Sequence, residues 1–241
     1  MIPTSLEKLL SRRDDLWHHL LERSRFVRGL MAEPFDRRLF GIYLIETYHY
    51  VIHNPRHQAL VGARSEAMHP NYRKFCFEHA AEETGHELMA LHDLHHLGSL
   101  QEGSYRLSSA LLQTELLNAY LYHVSTTGNP LQRLGYSFWA ESAYQYVGNV
   151  IARTRQVLEL SDAQMTFLVA HASIDEKHAA EVAKTLTSFC TSDDDWHAVA
   201  QVMEGSLQLQ GNLLDAVWDE FVALRAGEDS RYRYLNVLRP S

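Results

Sequence analysis

The chain has 241 residues, 46% of them hydrophobic and 22% charged, which is enough to bury a core without disulfide or metal staples. Its formal net charge of −8 argues against a nucleic-acid partner, because phosphate binding needs clustered Lys and Arg. Two cysteines, Cys76 and Cys190, make no disulfide framework and fit reduced thiols.

Apolar residues recur at helical spacing between glycine and proline punctuation, and seven helices are predicted in chain order. The first covers about 5–31, from SLEKLL to FVRGLM. The second follows Pro34 and continues through LFGIYLIETYHYVIH until Pro55 kinks or ends it. The third opens at Pro70 and closes near Gly98, and the fourth spans about 105–127 before Gly128. Asn129-Pro130 opens a fifth that runs to about 158. Ser161 and Gln164 form a capping box for the sixth, and TSDDDW caps a seventh that ends near Gly227. No stretch alternates with the period of a strand, and no linker or repeat divides the chain. The expectation is one all-α domain over 1–241, with residues from about 228 onward a tail on the surface or over a pocket.

The N-terminal MIPTSLEKLLSRRDDLWHHLL is charged and lacks the apolar core of a signal peptide. No run of about 18 apolar residues occurs, so the expected location is cytoplasmic, with no membrane partner.

Fifteen histidines make a metal site worth seeking. Four predicted helices carry acids inside apolar stripes. Glu46 lies in GIYLIETYHYV, Glu82 and Glu83 with His86 in HAAEETGHELM, Glu141 in SFWAESAYQYV, and Asp175 with His171 and His178 in HASIDEKHAAE. A buried unpaired carboxylate costs several kcal/mol, of order a domain's whole stability margin. Four such acids need a shared countercharge, and a pair of divalent cations supplies it. Glu83-x-x-His86 and Asp175-x-x-His178 each point two ligands the same way from one turn, and two-iron helical bundles combine two such motifs with two lone glutamates. The O/N donor set suits iron or manganese. Glu83 is preferred to Glu82 for its spacing to His86. His49, His53 and His79 read as core or surface histidines, His92, His95, His96 and the pair His18-His19 as helix-end residues, and Cys76 as apolar filler. Tyr48, Phe138, Trp139 and Tyr144 flank the ligand positions and are the candidate substrate walls.

His171-x-x-x-Asp175-x-x-His178, with Glu141 about a helix and a loop upstream, resembles the haem-oxygenase-like diiron oxidases and oxygenases, which share the fold of the thiaminase-II and pyrroloquinoline-quinone-synthase families. The likeness covers the second to sixth helices. It implies a seven-helix haem-oxygenase-like bundle with His171, Asp175, His178 and Glu141 as metal ligands, Glu83 and His86 as the Glu-and-His helix, and Glu46 as an additional carboxylate. It also implies two Fe(II) ions with O2 as co-substrate, no haem, and no separate protein nucleophile. Members decarboxylate fatty acids to alkenes, N-oxygenate amines or cleave amino acids. The expected substrate is therefore a small carboxylate or amino acid. The specific expectation is an aromatic, tryptophan-like amino acid oxidised at nitrogen to a nitrile, with oxidative decarboxylation of a fatty acid as the alternative. An external electron donor and a homodimer are compatible partners. Against this stand a ferritin-like four-helix diiron bundle, a haem oxygenase using His18 or His19, a thiaminase-like hydrolase using Cys76, and a non-catalytic iron-binding or interaction protein.

Overall fold

The computed structural model describes residues 4–64, 68–98 and 109–238, except for the side chains of 170–175. All regular structure among them is helical. The α-helices are α1 (Ser5–Arg23), α2 (Arg25–Ala32), α3 (Arg37–Val51), α4 (Asn54–Gly62), α5 (Pro70–Glu82), α6 (Glu87–His96), α7 (Leu112–Thr126), α8 (Leu134–Ala140), α9 (Gly148–Leu158), α10 (Thr166–Phe189) and α11 (Asp193–Ala226). Short 3-10 turns cover Ala143–Gln145, Asp162–Gln164 and Arg233–Leu238.

The sequence suggested fewer, longer helices, and each extra break has a local cause. Ser24 ends α1 and caps α2: its hydroxyl accepts from the Val27 N–H and donates to Asp215 at 2.6 Å. The third predicted helix breaks at Thr84-Gly85, where Gly85 takes φ +99°, a conformation open to glycine and strained for other residues. Pro55 sits in the first turn of α4, where its missing N–H costs nothing. The fifth predicted helix stops after Ala140, because the Ser142 hydroxyl bonds back to the carbonyls of Phe138 and Trp139, both at 3.0 Å.

Helix α11, 34 residues and roughly 50 Å long, is the spine. Its Ser192–Asp195 capping box and its left-handed Gly227 cap fix the ends. Helices α1, α2, α3, α7 and α8 lie against it. Gly135 permits a close crossing: a Cβ there would sit 2.2 Å from the Val199 carbonyl of α11. Helix α10 packs on α6 and α8, and α4 on α5. Asp93 of α6 fixes the start of α10, its buried carboxylate accepting from the N–H groups of Thr166 and Phe167, both at 2.8 Å, and from the Thr166 hydroxyl at 2.6 Å.

The described part of the C-terminal segment, residues 228–238, packs apolar side chains onto the helices. Tyr232 and Leu235 are wholly buried, and Leu235 packs over Gly41 of α3. Glu46, expected as a metal ligand, holds this segment in place: its carboxylate accepts from the Tyr232 hydroxyl at 2.6 Å, the Leu111 N–H at 3.0 Å and the Thr114 hydroxyl. No helix among the described residues is long and apolar enough to cross a membrane.

Candidate metal centre

The breaks that divide α5 from α6 and end α8 also place the acids. Glu83 is the C-cap residue of α5 and Glu141 that of α8. A carboxylate at a helix C-terminus faces the negative end of the helix dipole, and both of these are buried as well. Some strong positive group has to compensate them.

What faces them is imidazole. One nitrogen or oxygen each from His79, Glu83, Glu141 and His178 falls within 4.8 Å of the others, all four residues being buried. His79 Nε2 lies 3.4 Å from Glu141 Oε1, while His178 Nδ1 lies 3.3 Å from Glu83 Oε1 and 3.4 Å from Glu141 Oε2. His86, in the turn after Glu83, has Nδ1 at 3.4 Å from Glu83 Oε2. Glu82 is on the exposed side, pairing with Lys177 at 3.3 Å and with His178 Nε2 at 3.2 Å.

These separations are long for charge-assisted hydrogen bonds, which favour about 2.7–2.9 Å. Among the described residues, both ring nitrogens of His79 and Nδ1 of His178 are buried without a hydrogen-bond partner. Donor atoms that each sit about 2.1 Å from a first-row metal ion stand about 3–3.5 Å apart, so the donor spacing and the orphaned nitrogens both fit a cation among them. With only protons available, burial raises the Glu83 carboxyl, but the facing imidazoles of His178 and then His86 outweigh it and hold the group well below the carboxylate range. Burial likewise raises Glu141, and His178 and His79 bring it below its ordinary value. Glu141 and Glu83 together push His178 up to about 10, and Glu83 raises His86. The cluster attracts positive charge, whether proton or metal.

Behind Glu83 runs a polar chain. Asn54 Nδ2 donates to Glu83 Oε2 at 2.6 Å, and Asn54 Oδ1 accepts from Arg133 at 2.5 Å. Arg133 is 1% exposed, also donates to His57 Nδ1 at 3.2 Å and to the Ser137 hydroxyl, and lies 4.8 Å from the Tyr136 ring centre. Among the described residues no carboxylate pairs with it directly. Its charge reaches the acids through Asn54, the kind of outer contact that orients a metal-binding carboxylate.

The structure therefore brings together Glu83, Glu141 and His178 with His86 beside them, adds His79, and puts Glu46 elsewhere. The backbone of α10 carries His171 and Asp175, whose side chains lie outside the described residues. The sequence signal for His79 was its i, i+4 spacing to Glu83, which reading the same acid with His86 obscured.

A cavity of about 200 Å³ opens beside the acids, with Glu83, Glu141 and Asn54 on one wall. Trp139 and Tyr144 line it. Phe138 does not, because it turns away under the Arg13 guanidinium, 5.1 Å from its ring centre. Tyr48 is also off the wall: Tyr43, Tyr50 and Asn54 share the cavity face of the chain, and Tyr48 lies against His49. The other walls, from α1, α2, α3, α9 and α11, are mostly aliphatic and aromatic, with Thr154 and Gln210 as polar members, and no Lys, Arg or His is among the lining residues described.

This fold and site define a class, helical haem-oxygenase-like proteins with a buried His/Glu cluster. The chain belongs to the family described as iron-containing redox enzymes, which it matches over residues 42–211. It is similar to the crystal structure of a domain of unknown function with a heme oxygenase-like fold from Shewanella denitrificans OS217. Identity is 42%, the TM-score is 0.90, and 95% of this chain and 98% of that one are covered. A TenA homologue from P. horikoshii OT3 (15% identity, TM-score 0.71, 90% and 99% covered) shares the fold. So does a TenA family transcription regulator from Silicibacter sp. TM1040 (15%, 0.68, 89% and 96%). No protein of curated function matches the chain.

Proposed function

We propose that the chain is an O2-dependent, non-haem diiron oxidoreductase that oxidises an apolar-bodied carboxylate. The observation that carries the iron reading is the pair of buried carboxylates at helix C-termini, faced by imidazole nitrogens that have no hydrogen-bond partner among the described residues. His79, Glu83, Glu141 and His178 would hold iron, with His86, His171 and Asp175 as the further ligands for a second ion. Iron bound there would supply the electrons that reduce O2.

The chain's own part is positioning and exclusion of water. Asn54 holds one oxygen of Glu83, which leaves the other toward His178. The apolar walls keep water from the reacting end and align the substrate body. The hydroxyls on the wall are those of Tyr43, Tyr50, Tyr136, Tyr144 and Thr154. With no fixed cation among the lining residues described, a substrate carboxylate has the iron end as its electrostatic partner, and its body lies toward α1, α2 and α9.

Two substrates belong to this class, an aromatic amino acid converted to a nitrile and a fatty acid decarboxylated oxidatively. The uncharged far walls favour the second, since an ammonium would find only the ligand acids as counterions. A thiaminase-like hydrolase is disfavoured: Cys76 is fully buried, burial pushes its thiol up to about 11, and neither cysteine lines the cavity. A haem ligand at His18 or His19 is disfavoured because both are exposed.

The test is anaerobic Fe(II) loading, then O2 with a panel of fatty acids and aromatic amino acids, followed by product mass. Substrate-accelerated, iron-dependent O2 consumption is expected. Full turnover by iron-free protein or by Glu141→Ala would overturn the reading.

A further inference from the structure

The aromatic wall of the cavity continues through the protein to its surface. Tyr136, Trp139 and Trp17 all line the cavity that holds Glu83 and Glu141. Tyr136 meets Trp139 edge-on at 5.2 Å between ring centres, and Trp139 meets Trp17 at 5.9 Å. Trp17 then stacks on Tyr146 at 5.1 Å, with planes only 11° apart. Tyr146 is half-buried and lies outside the cavity, and its hydroxyl donates to Asp14 Oδ1. Arg13 holds that carboxylate at 2.9 Å, and the Arg13 guanidinium lies 5.6 Å from the Tyr146 ring centre.

We propose that Tyr136, Trp139, Trp17 and Tyr146 form a one-electron relay from the iron site to the surface, with Asp14 as the proton acceptor at its outer end. The relay rests on the iron reading above for its oxidant. Indole and phenol are the side chains most readily oxidised by one electron apart from thiolates, and these four make an unbroken series of ring contacts. Their polar partners set a direction. Among the described residues, the Trp17 indole N–H is buried without an acceptor, and that of Trp139 donates only to the Ser206 hydroxyl at 2.8 Å. Neither can release its proton to a base, so an oxidised indole stays strongly oxidising and passes the vacancy on. Tyr146 ends the series because a carboxylate stands ready for its proton.

The step balances. With no substrate in the cavity, Tyr136 would give one electron to the oxidant that bound iron and O2 would supply there, and Trp139, Trp17 and Tyr146 would refill it in turn. The Tyr146 O–H bond breaks, its proton goes to Asp14, and a neutral tyrosyl remains. A small one-electron reductant in solution, of the ascorbate class, returns the electron, and Asp14 returns the proton. The buried ligands and walls are thereby spared oxidation when O2 activation is not coupled to substrate.

Two measurements test this. In the first, metal-free protein carries a ruthenium photo-oxidant on Lys177→Cys, an exposed position beside Glu82; Cys76 and Cys190 are buried, so the label goes to the new thiol. Flash oxidation should give a tyrosyl electron-spin signal that is lost in Tyr146→Phe and slowed in Asp14→Asn. It should persist in Tyr120→Phe, which is off the chain. In the second, iron-loaded protein receives O2 without substrate, with iron oxidation followed by Mössbauer spectroscopy. The same signal should appear, and ascorbate should quench it. Equal signals in the parent and Tyr146→Phe would overturn the relay, as would oxidised iron with no tyrosyl. Failure of iron to bind, with the flash signal intact, would overturn the iron reading and support the relay.

Discussion

Glu46 and Glu141 looked alike in the sequence, each a lone acid in an apolar helical run, yet the fold uses them in opposite ways. Three donors converge on Glu46, from the start of α7 and the C-terminal segment, so its carboxylate is satisfied with no cation present. Among the described residues, Glu141, at the end of α8, meets imidazoles at 3.4 Å, on nitrogens without a hydrogen-bond partner. A buried acid surrounded by donors ties segments together. A buried acid surrounded by imidazoles can hold a metal, and on the proposed reading its cost in the metal-free protein is recovered on binding.

That contrast can be broken by experiment. The largest expected effect is Glu141→Ala, which should lower iron affinity by more than about 100-fold, since removing even an outer partner costs about 10–100-fold; the check is iron retained after dialysis. Glu46→Ala should do the reverse, leaving iron content per folded molecule unchanged while destabilising the fold by about 3–5 kcal/mol, because three buried donors lose their acceptor. Chemical denaturation with parallel iron analysis separates the two outcomes, and loss of iron at full stability would contradict the assignment of Glu46.

Asn54→Leu comes next. It unseats Glu83 and strips Arg133 of its link to the acids, so iron should bind about 10–100-fold more weakly and its Mössbauer parameters should change. A merely structural role would leave those parameters fixed. Asp93→Asn should cost about 1–2 kcal/mol through the weakened start of α10, with hydrogen exchange there faster and with iron ligation retained. Smallest is Cys76→Ala, which should lower stability by about 1 kcal/mol and leave O2-dependent turnover unchanged. Lost turnover at full folding would revive a cysteine mechanism.

How much of this was visible beforehand follows from the range of each interaction. The all-helical architecture and the Ser192 and Gly227 ends of α11 rest on residues close in sequence, and they were legible; the Ser161–Gln164 box forms too, but it caps the 3-10 turn Asp162–Gln164 and not the long helix expected there, which starts at Thr166. Glu83 and its neighbour His86 were legible for the same reason. Glu46 could not be told from Glu141, because its partners Leu111, Thr114 and Tyr232 are 65, 68 and 186 residues away. The breaks at Ser24 and Ser142 come from hydroxyl bonds, with no glycine or proline to announce them. The Arg133–Asn54–Glu83 chain spans three separate elements and leaves no local pattern.

The most direct measurement is anomalous diffraction at the iron edge from crystals of Fe(II)-loaded protein. Iron density among His79, Glu83, Glu141 and His178, with Glu46 still bonded to Tyr232, is the expected result. Iron held only at surface histidines such as His92 and His96, or bound by Glu46, would contradict the account.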